Sequence, residues 1–406
     1  MAKLLQIAIS ANWGSAGKIA EQIGVVAMSH GWESYIAYGR HVNPSKSQLI
    51  RIGNKWTLTE HIFETLLLDN QGLSSRYSTK HLIKRIEEMK PDVIHLHNIH
   101  GHYINYPILF DYLKQKGLPV VWTLHDCWSF TGRCTHFENW GCEKWKTHCE
   151  HCPQKKGYAF SSICDKSYRN FEKKRVSFTT LSNLTIVPVS RWLEGLLQES
   201  YFKNSNIHLI QNGIDLNKYK VNKDKSILAK YGIDVLKPYV IGVSSVWNAN
   251  KGLEDFFELR KLLPMDLQVV MVGLKKEQLP LIPEGVIGIK RTESVDELTA
   301  LYTNAVALAN TTYGDTFPTV NIESLACGTP VVTYRTGGSP EIIDESTGIV
   351  VDKGNIQQLA DALMTISVKG KESYTDRCRE RAVKNFDMHE KFEEYFNLYN
   401  SLLNNK

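Results

Sequence analysis

The sequence has no run of eighteen apolar residues, no long tract of one charge sign, no short-period repeat and no low-complexity segment. Each absence removes a class of protein. Without a long apolar run no membrane-spanning helix is expected. The apolar stretch at 4–9 is too short and too interrupted for a signal peptide, so a soluble, cytoplasmic protein is expected. The net charge of +5, from 48 Lys and Arg against 43 Asp and Glu, is gathered in no single tract, which argues against a dedicated nucleic-acid binder. With 13 prolines and 27 glycines in 406 residues, collagen-like and disordered chains are also excluded.

What is present is a globular balance, 42% hydrophobic and 22% charged, at a length that favours two or three domains. Short β-branched runs alternate with helical patterns, the mark of βαβ units and parallel sheets, so the fold class is α/β. Strands are expected at 4–10, 34–38, 93–97, 120–124, 185–189 and 207–210, and in a second series at 239–245, 268–272, 288–290, 305–309 and 331–334. Between the series, residues 212–237 are polar and Lys-rich with Asn-Gly and Lys-Pro breakers. The expected organisation is a first domain over 1–218, a second over 219–386 and a terminal helix over 387–406. That helix carries Phe392, Tyr395, Phe396, Leu398 and Tyr399 on an aromatic face that must pack on something.

Chemistry concentrates in a few segments. Residues 310–341 read as loop, helix, turn and strand, with Pro318 opening the helix, Gly328 capping it and Pro330 just beyond. Asp315 then precedes the helix and Glu323 lies inside it, eight positions later. Free N–H groups at Thr319 and Val320 suit a phosphate, and a carboxylate one to two turns along suits ribose hydroxyls. The plainer alternative makes Asp315 a cap and Glu323 a solvated face residue. Gly14 and Gly17 lie in a small-residue loop between the first strand and its helix. It is not a Walker A loop, because Asn12 stands where the first Gly should be and Ile19 follows Lys18. The glycines serve either the ligand or close helix packing. His97 ends the strand at 93–97, and His100, His102 and Tyr103 follow in the loop at its C-terminal end, where α/β ligands bind; all four are candidates for acceptor contacts.

The segment from Asp315 to Glu341, with its Ala-Cys-Gly-Thr-Pro-Val-Val core and Gly-Gly-Ser-Pro-Glu turn, resembles the donor-binding motif of the family 4 glycosyltransferases. Pro91-Asp-Val-Ile-His-Leu-His, Val-Ser-Arg-Trp-Leu at 189–193, Asn212-Gly-Ile-Asp215 and Lys251-Gly252 match the same family, so the resemblance spans almost the whole chain. It implies a GT-B architecture: two Rossmann-like domains facing across a cleft, with the terminal helix crossing back to the first. It implies retaining transfer from a nucleotide sugar, UDP- or GDP-linked, with no catalytic metal. By the same resemblance Asp315 meets the sugar, Glu323 the ribose, Lys251 the diphosphate, Thr319 and Val320 the sugar and phosphates through their backbone, and His125 the sugar. Gly14 and Gly17 match the family's N-terminal glycine loop. Asp315 stands where Glu is usual, which resembles the colanic-acid and capsule subgroup. Val246 replaces the usual Arg five residues before Lys251, and Arg291 is the candidate second cation.

Cys134, Cys142, Cys149 and Cys152 fall within nineteen residues of a loop at 127–165. Four thiolates can close a tetrahedral zinc shell that orders the loop; free thiols, or an iron–sulfur or redox role, are the alternatives. Trp122, Trp128, Phe130, Phe137, Trp140, Trp145 and Tyr158 are expected mostly to fill its core. The resulting expectation is a transferase acting on a glycan or lipid-linked glycan acceptor, with peripheral association at the inner face of the membrane. The rival readings are an epimerase or hydrolase on the same fold and a non-catalytic, zinc-stapled glycan-binding protein.

Overall fold

The computed structural model describes residues 1–154 and 164–404. Residues 155–163 of the loop at 127–165, with Tyr158 among them, lie outside the described residues. The chain divides into two compact units, Met1–Gln211 with Phe392–Lys406, and Asn212–Lys391.

The first unit begins with β1 (Lys3–Ala8), α1 (Gly14–Ser29), β2 (Glu33–Tyr38), β3 (Gln48–Arg51), α2 (Lys55–Leu68) and α3 (Arg76–Met89). It continues through β4 (Val93–Leu96), α4 (Tyr106–Lys116), β5 (Val120–Leu124), α5 (Ser167–Thr179), β6 (Leu184–Pro188), α6 (Arg191–Glu199) and β7 (Asn206–Ile207). The seven strands form one sheet in the order β3-β2-β1-β4-β5-β6-β7, and every paired register in it is parallel. Strands β5 and β6 are buried along their whole length. Parallel strands covered by helices on both faces read as continuous apolar runs for this reason.

The second unit holds α7 (Ser226–Lys230), β8 (Tyr239–Val243), α8 (Leu253–Leu262), β9 (Gln268–Val272), β10 (Val286–Ile289), α9 (Val295–Asn304) and β11 (Ala307–Asn310). After these come α10 (Thr319–Ala326), β12 (Val331–Tyr334), α11 (Ser339–Ile342), β13 (Gly348–Val351), α12 (Ile356–Lys369) and α13 (Glu372–Phe386). Its sheet, also parallel, runs β10-β9-β8-β11-β12-β13.

The last helix, α14 (Met388–Asn404), packs on the first unit from Phe392 onward. Phe396 stacks on His30 with ring centroids 3.9 Å apart, and Tyr399 bonds His95 Nδ1 at 2.6 Å. The aromatic face read from the sequence is thus buried against residues contributed by the beginning of the chain.

Candidate active site

Ligands of open parallel sheets bind outside the carboxyl ends of the strands, where the strand order reverses. In the second unit that point lies between β8 and β11. Lys251 follows β8 and Asp315 follows β11, and their side chains meet there with Nζ 2.6 Å from Oδ2. The backbone around them is laced together: the Thr311 hydroxyl donates to Lys251 O at 2.9 Å and the Tyr313 N–H to Asn250 O at 2.8 Å. Two glycines permit this approach. A Cβ on Gly252 (φ +68°) would lie 2.4 Å from Thr311 O, and one on Gly337 (φ +52°) would lie 1.8 Å from Asp315 O. No L side chain fits either place.

Pro318 caps α10 with extended backbone, so the helix starts at Thr319. Thr319 and Val320 are half-buried at its N-terminus, where N–H groups lack helical acceptors. One turn on, Glu323 Oε2 accepts from the Tyr302 hydroxyl of α9 at 3.1 Å. The Glu323 charge is also the main reason the Tyr219 phenol is pushed above its usual range, with burial second. Neither tyrosine was singled out from the sequence, because neither lies in the motif and only the fold brings them to it. Arg291 is exposed after β10, an edge strand, with β9 standing between it and β8.

In the first unit the order reverses between β1 and β4. The loop after β1 leads to Gly14, exposed with open space around it, and Gly17, whose Cβ would lie 2.7 Å from Ser10 Oγ. Gly17 therefore lets α1 close on the end of β1, the packing role. His125 follows β5, and its Nε2 lies 3.1 Å from His97 Nδ1. Burial lowers His125 to about 4, with Asp126 opposing and His100 adding to the shift. The ring is neutral near pH 7.

Two of the acceptor candidates are buried. His97 and Tyr103 are 1% and 3% exposed. Both are held by the protein interior: Tyr103 donates to Asn98 O at 2.8 Å, and its ring fills the space where a Gly39 side chain would stand. His100 pairs with Asp126 at 2.8 Å. Burial alone would raise Asp126, but the charge and hydrogen bond of His100 and the Trp128 N–H outweigh it and hold Asp126 at about 2. His102 has φ +70° and is lowered to about 4, first by burial and then by the Arg40 charge; its ring meets His61 edge to face at 5.5 Å.

None of the eight cysteines is joined in a disulfide. Cys134 and Cys152 share a hydrogen bond, the Cys149 and Cys142 charges also act on Cys134, and Cys149 Sγ accepts the Gly132 N–H at 3.2 Å. Among the described residues no group of three or more His, Cys, Asp or Glu is arranged to hold a metal. The loop's aromatics mostly fill its core as expected: Trp128, Phe130, Phe137 and Trp145 are buried, and Trp140 is exposed.

The fold of each unit is of the Rossmann-like class, and comparison with known proteins makes the class specific. Residues 53–218 match the model described as Glycosyltransferase Family 4, and residues 237–367 the one described as Glycosyl transferases group 1. The chain is a glycosyltransferase carrying these two domains. It is 23% identical, over 98% of its own length and 100% of the relative's, to the Escherichia coli (strain K12) protein named for colanic acid biosynthesis, the glycosyl transferase WcaC. Sucrose-phosphate synthase from Thermosynechococcus elongatus shares the fold at a TM-score of 0.74 and 16% identity, each chain covered in full. Anabaena HepE in complex with UDP does so at 0.66 and 16%, covering 99% of this chain and 100% of that one. The fold class is GT-B.

Proposed function

We propose that the chain transfers a hexose from a UDP- or GDP-sugar to a hydroxyl of a glycan or lipid-linked glycan during polysaccharide biosynthesis, with retention at the anomeric carbon. The carrying observation is the Lys251–Asp315 pair at the ends of β8 and β11, with Glu323 one turn inside α10. Lys251 and the N-terminus of α10 offer positive charge to a diphosphate, Asp315 accepts from sugar hydroxyls, and Glu323 accepts from the ribose. In the reaction the bond from C1 to the phosphate oxygen breaks and its electron pair stays on the phosphate. The acceptor oxygen bonds C1 on the same face and its proton passes to the departing diphosphate. This route asks no nucleophile of the protein; charge stabilisation on the leaving group lowers the barrier. The family 4 match, the colanic acid relative and the UDP held by HepE support the reading.

The test is thermal denaturation with UDP, GDP, ADP and CDP, for the wild type beside Glu323→Ala, together with a transfer assay on Asp315→Ala. One nucleotide at about a hundred times its Kd should stabilise the wild type by about 2.7 kcal/mol, and Glu323→Ala should lose that gain. Asp315→Ala should reduce transfer by roughly 10²–10³. A folded protein that responds to no nucleotide overturns the reading.

Membrane association of this enzyme rests on one surface. No helix among the described residues is long and apolar enough to cross a membrane. Helix α2, however, turns His61 and Thr65 inward and leaves Trp56, Phe63 and Leu68 exposed, with Tyr77 of α3 also exposed. Residues 51–85 hold six Lys and Arg against three Asp and Glu. Arg51, His81 and Arg85 line a cavity of about 270 Å³ between β3 and α3. Aromatic and cationic side chains together suit an anionic lipid interface. The protein should float with phosphatidylglycerol vesicles at low salt, and Trp56→Ser with Phe63→Ser should stay behind; a wild type that ignores them ends this part of the proposal. Zinc in the Cys loop rests on four thiols within electrostatic reach of one another. Equimolar zinc that is lost on Cys134→Ser supports it, and a metal-free, stable protein removes it.

A further inference from the structure

The cavity of about 270 Å³ in the first unit is bordered by Leu49 to Ile52 of β3 on one side and by Ser78, His81, Leu82 and Arg85 of α3 on the other. Side chains of a strand alternate between faces, so four consecutive residues mean that the edge of the strand borders the space. Strand β3 is the edge of its sheet. On α3, Ser78, Leu82 and Arg85 recur at the spacing of one helix face, with His81 beside them. Leu82 is 2% exposed and belongs to the core, while Arg51, His81 and Arg85 are exposed at the rim. Ser78 is 4% exposed, yet its hydroxyl has no hydrogen-bond partner among the described residues. Buried hydroxyls are ordinarily bonded, and leaving one bare is costly, so a ligand bearing acceptor oxygens would remove that cost. A Cβ on Gly53 would lie 2.9 Å from the Ser78 Oγ, so glycine at that position keeps a side chain off the hydroxyl. No carboxylate is among the lining residues; Glu88, outside them, reaches Arg85 at 3.5 Å.

We propose that this cavity is a binding site for a phosphate monoester or inorganic phosphate, held between the Arg51 and Arg85 guanidinium groups at the rim and the Ser78 hydroxyl at the base. A guanidinium offers a planar fork of N–H donors that matches two phosphate oxygens, and two such forks facing one space oppose the two charges of the dianion. The Ser78 proton goes to a third oxygen, and His81 has an N–H to give in either neutral tautomer. Every lining residue belongs to the first unit, and none is a residue of the Lys251–Asp315 pair or of α10. The site goes beyond sugar transfer and deepens the reading of this surface as a membrane contact: that reading asks only for diffuse attraction to an anionic interface, whereas the cavity holds one phosphate in one place. Two sources present the same chemistry, the headgroup of a lipid such as phosphatidic acid and a phosphate free in solution.

The experiment is calorimetric titration of the full chain with inorganic phosphate and with glycerol 3-phosphate, carried out in a Lys251→Ala background so that the diphosphate site of the second unit does not contribute. Arg51→Gln with Arg85→Gln should weaken binding by about tenfold or more, and Ser78→Ala should weaken it as well. Lys80→Gln with Lys84→Gln removes the same charge from exposed positions of α3 outside the cavity and should change binding by less than about twofold. Absence of saturable binding, or an equal fall in the arginine and lysine pairs of variants, overturns the proposal. Flotation then separates the sources, with phosphatidic acid vesicles set against oleate vesicles of matched surface potential. A preference for phosphatidic acid that the arginine variants lose identifies a lipid headgroup; binding of the soluble phosphates without that preference identifies a free phosphate, and either outcome supports the site. Vesicles that bind both surfaces alike, with the arginine variants behaving as wild type there and in the titration, leave the membrane reading standing and end this one. Saturable phosphate binding by a protein that ignores vesicles does the reverse.

Discussion

Lys174 has no exposed surface, yet it is held without a carboxylate bond: its Nζ donates to the carbonyls of Trp128 and Thr131 at 2.7 and 3.0 Å and lies 3.5 Å over the Trp128 ring. Burial lowers its pKa to about 7, against the opposing charges of Cys149, Cys134, Asp126 and Asp69. The residue joins α5 to the start of the Cys loop, where regular backbone bonding is sparse. Lys174→Met keeps the volume but strands both carbonyls, at about 1–3 kcal/mol for each. The expected outcome is a clear fall in thermal midpoint, measured by calorimetry, with proteolysis beginning in the Cys loop. A midpoint within a degree of wild type refutes this account of the residue.

At the scale of elements, α14 is pinned by hydrogen bonds whose directions follow from proton counting. The single Thr123 proton goes to the Tyr395 hydroxyl, so Thr123 Oγ1 accepts from His95 Nε2, and His95 Nδ1 is left to accept from Tyr399. Tyr399→Phe leaves that nitrogen bare and should cost about 1–3 kcal/mol, read as a lower midpoint in chemical denaturation, while Tyr77→Phe on the exposed face of α3 should cost nothing measurable. How far elements were legible in the sequence follows from the same physics. The buried strands β5, β9 and β12 match their expected bounds, because parallel strands covered on both faces are apolar throughout. Strand β3 was missed: it lies at a sheet edge, is largely exposed and begins and ends in Gln and Arg. Strand β13 was missed as well, since it opens on Gly348 and runs only four residues. Pro318 caps α10 instead of opening it, which leaves the helix at eight residues. The segment at 310–341 was legible as loop, helix, turn and strand because one stretch of chain carries it. Tyr302 and Tyr219 were not, because their partners are distant in sequence and no local pattern marks them.

At the scale of the whole molecule, histidine is unevenly shared. Of 14 histidines, the second unit contains only His389. In the first unit His61 is lowered to about 3, chiefly by burial and next by the His102 charge; His102 and His125 are lowered to about 4, and His95 and His97 lie well below their ordinary range. Below the ordinary histidine value of about 6.5 the unfolded chain takes up protons that these folded rings refuse, so unfolding gains. This contribution to stability is present above pH 6.5 and is lost as pH falls from 6.5 toward 4. Calorimetric scans across that window should show the first unit's transition moving down while the second unit's holds until its carboxylates titrate. Parallel movement of both contradicts the argument.

The chain leaves the first unit at Gln211 and comes back to it at Phe392. During synthesis the 180 residues in between are therefore translated before the first unit can be finished. At about 5–20 residues per second this is a wait of roughly 10–40 s. Throughout it, His95, Thr123 and His30 lack the tyrosine and phenylalanine side chains that cover and bond them. The nascent first unit is thus a substrate for chaperones and proteases until residues 392–406 are made, and a ribosome that stops among them releases a chain whose earlier-made unit is the part left open.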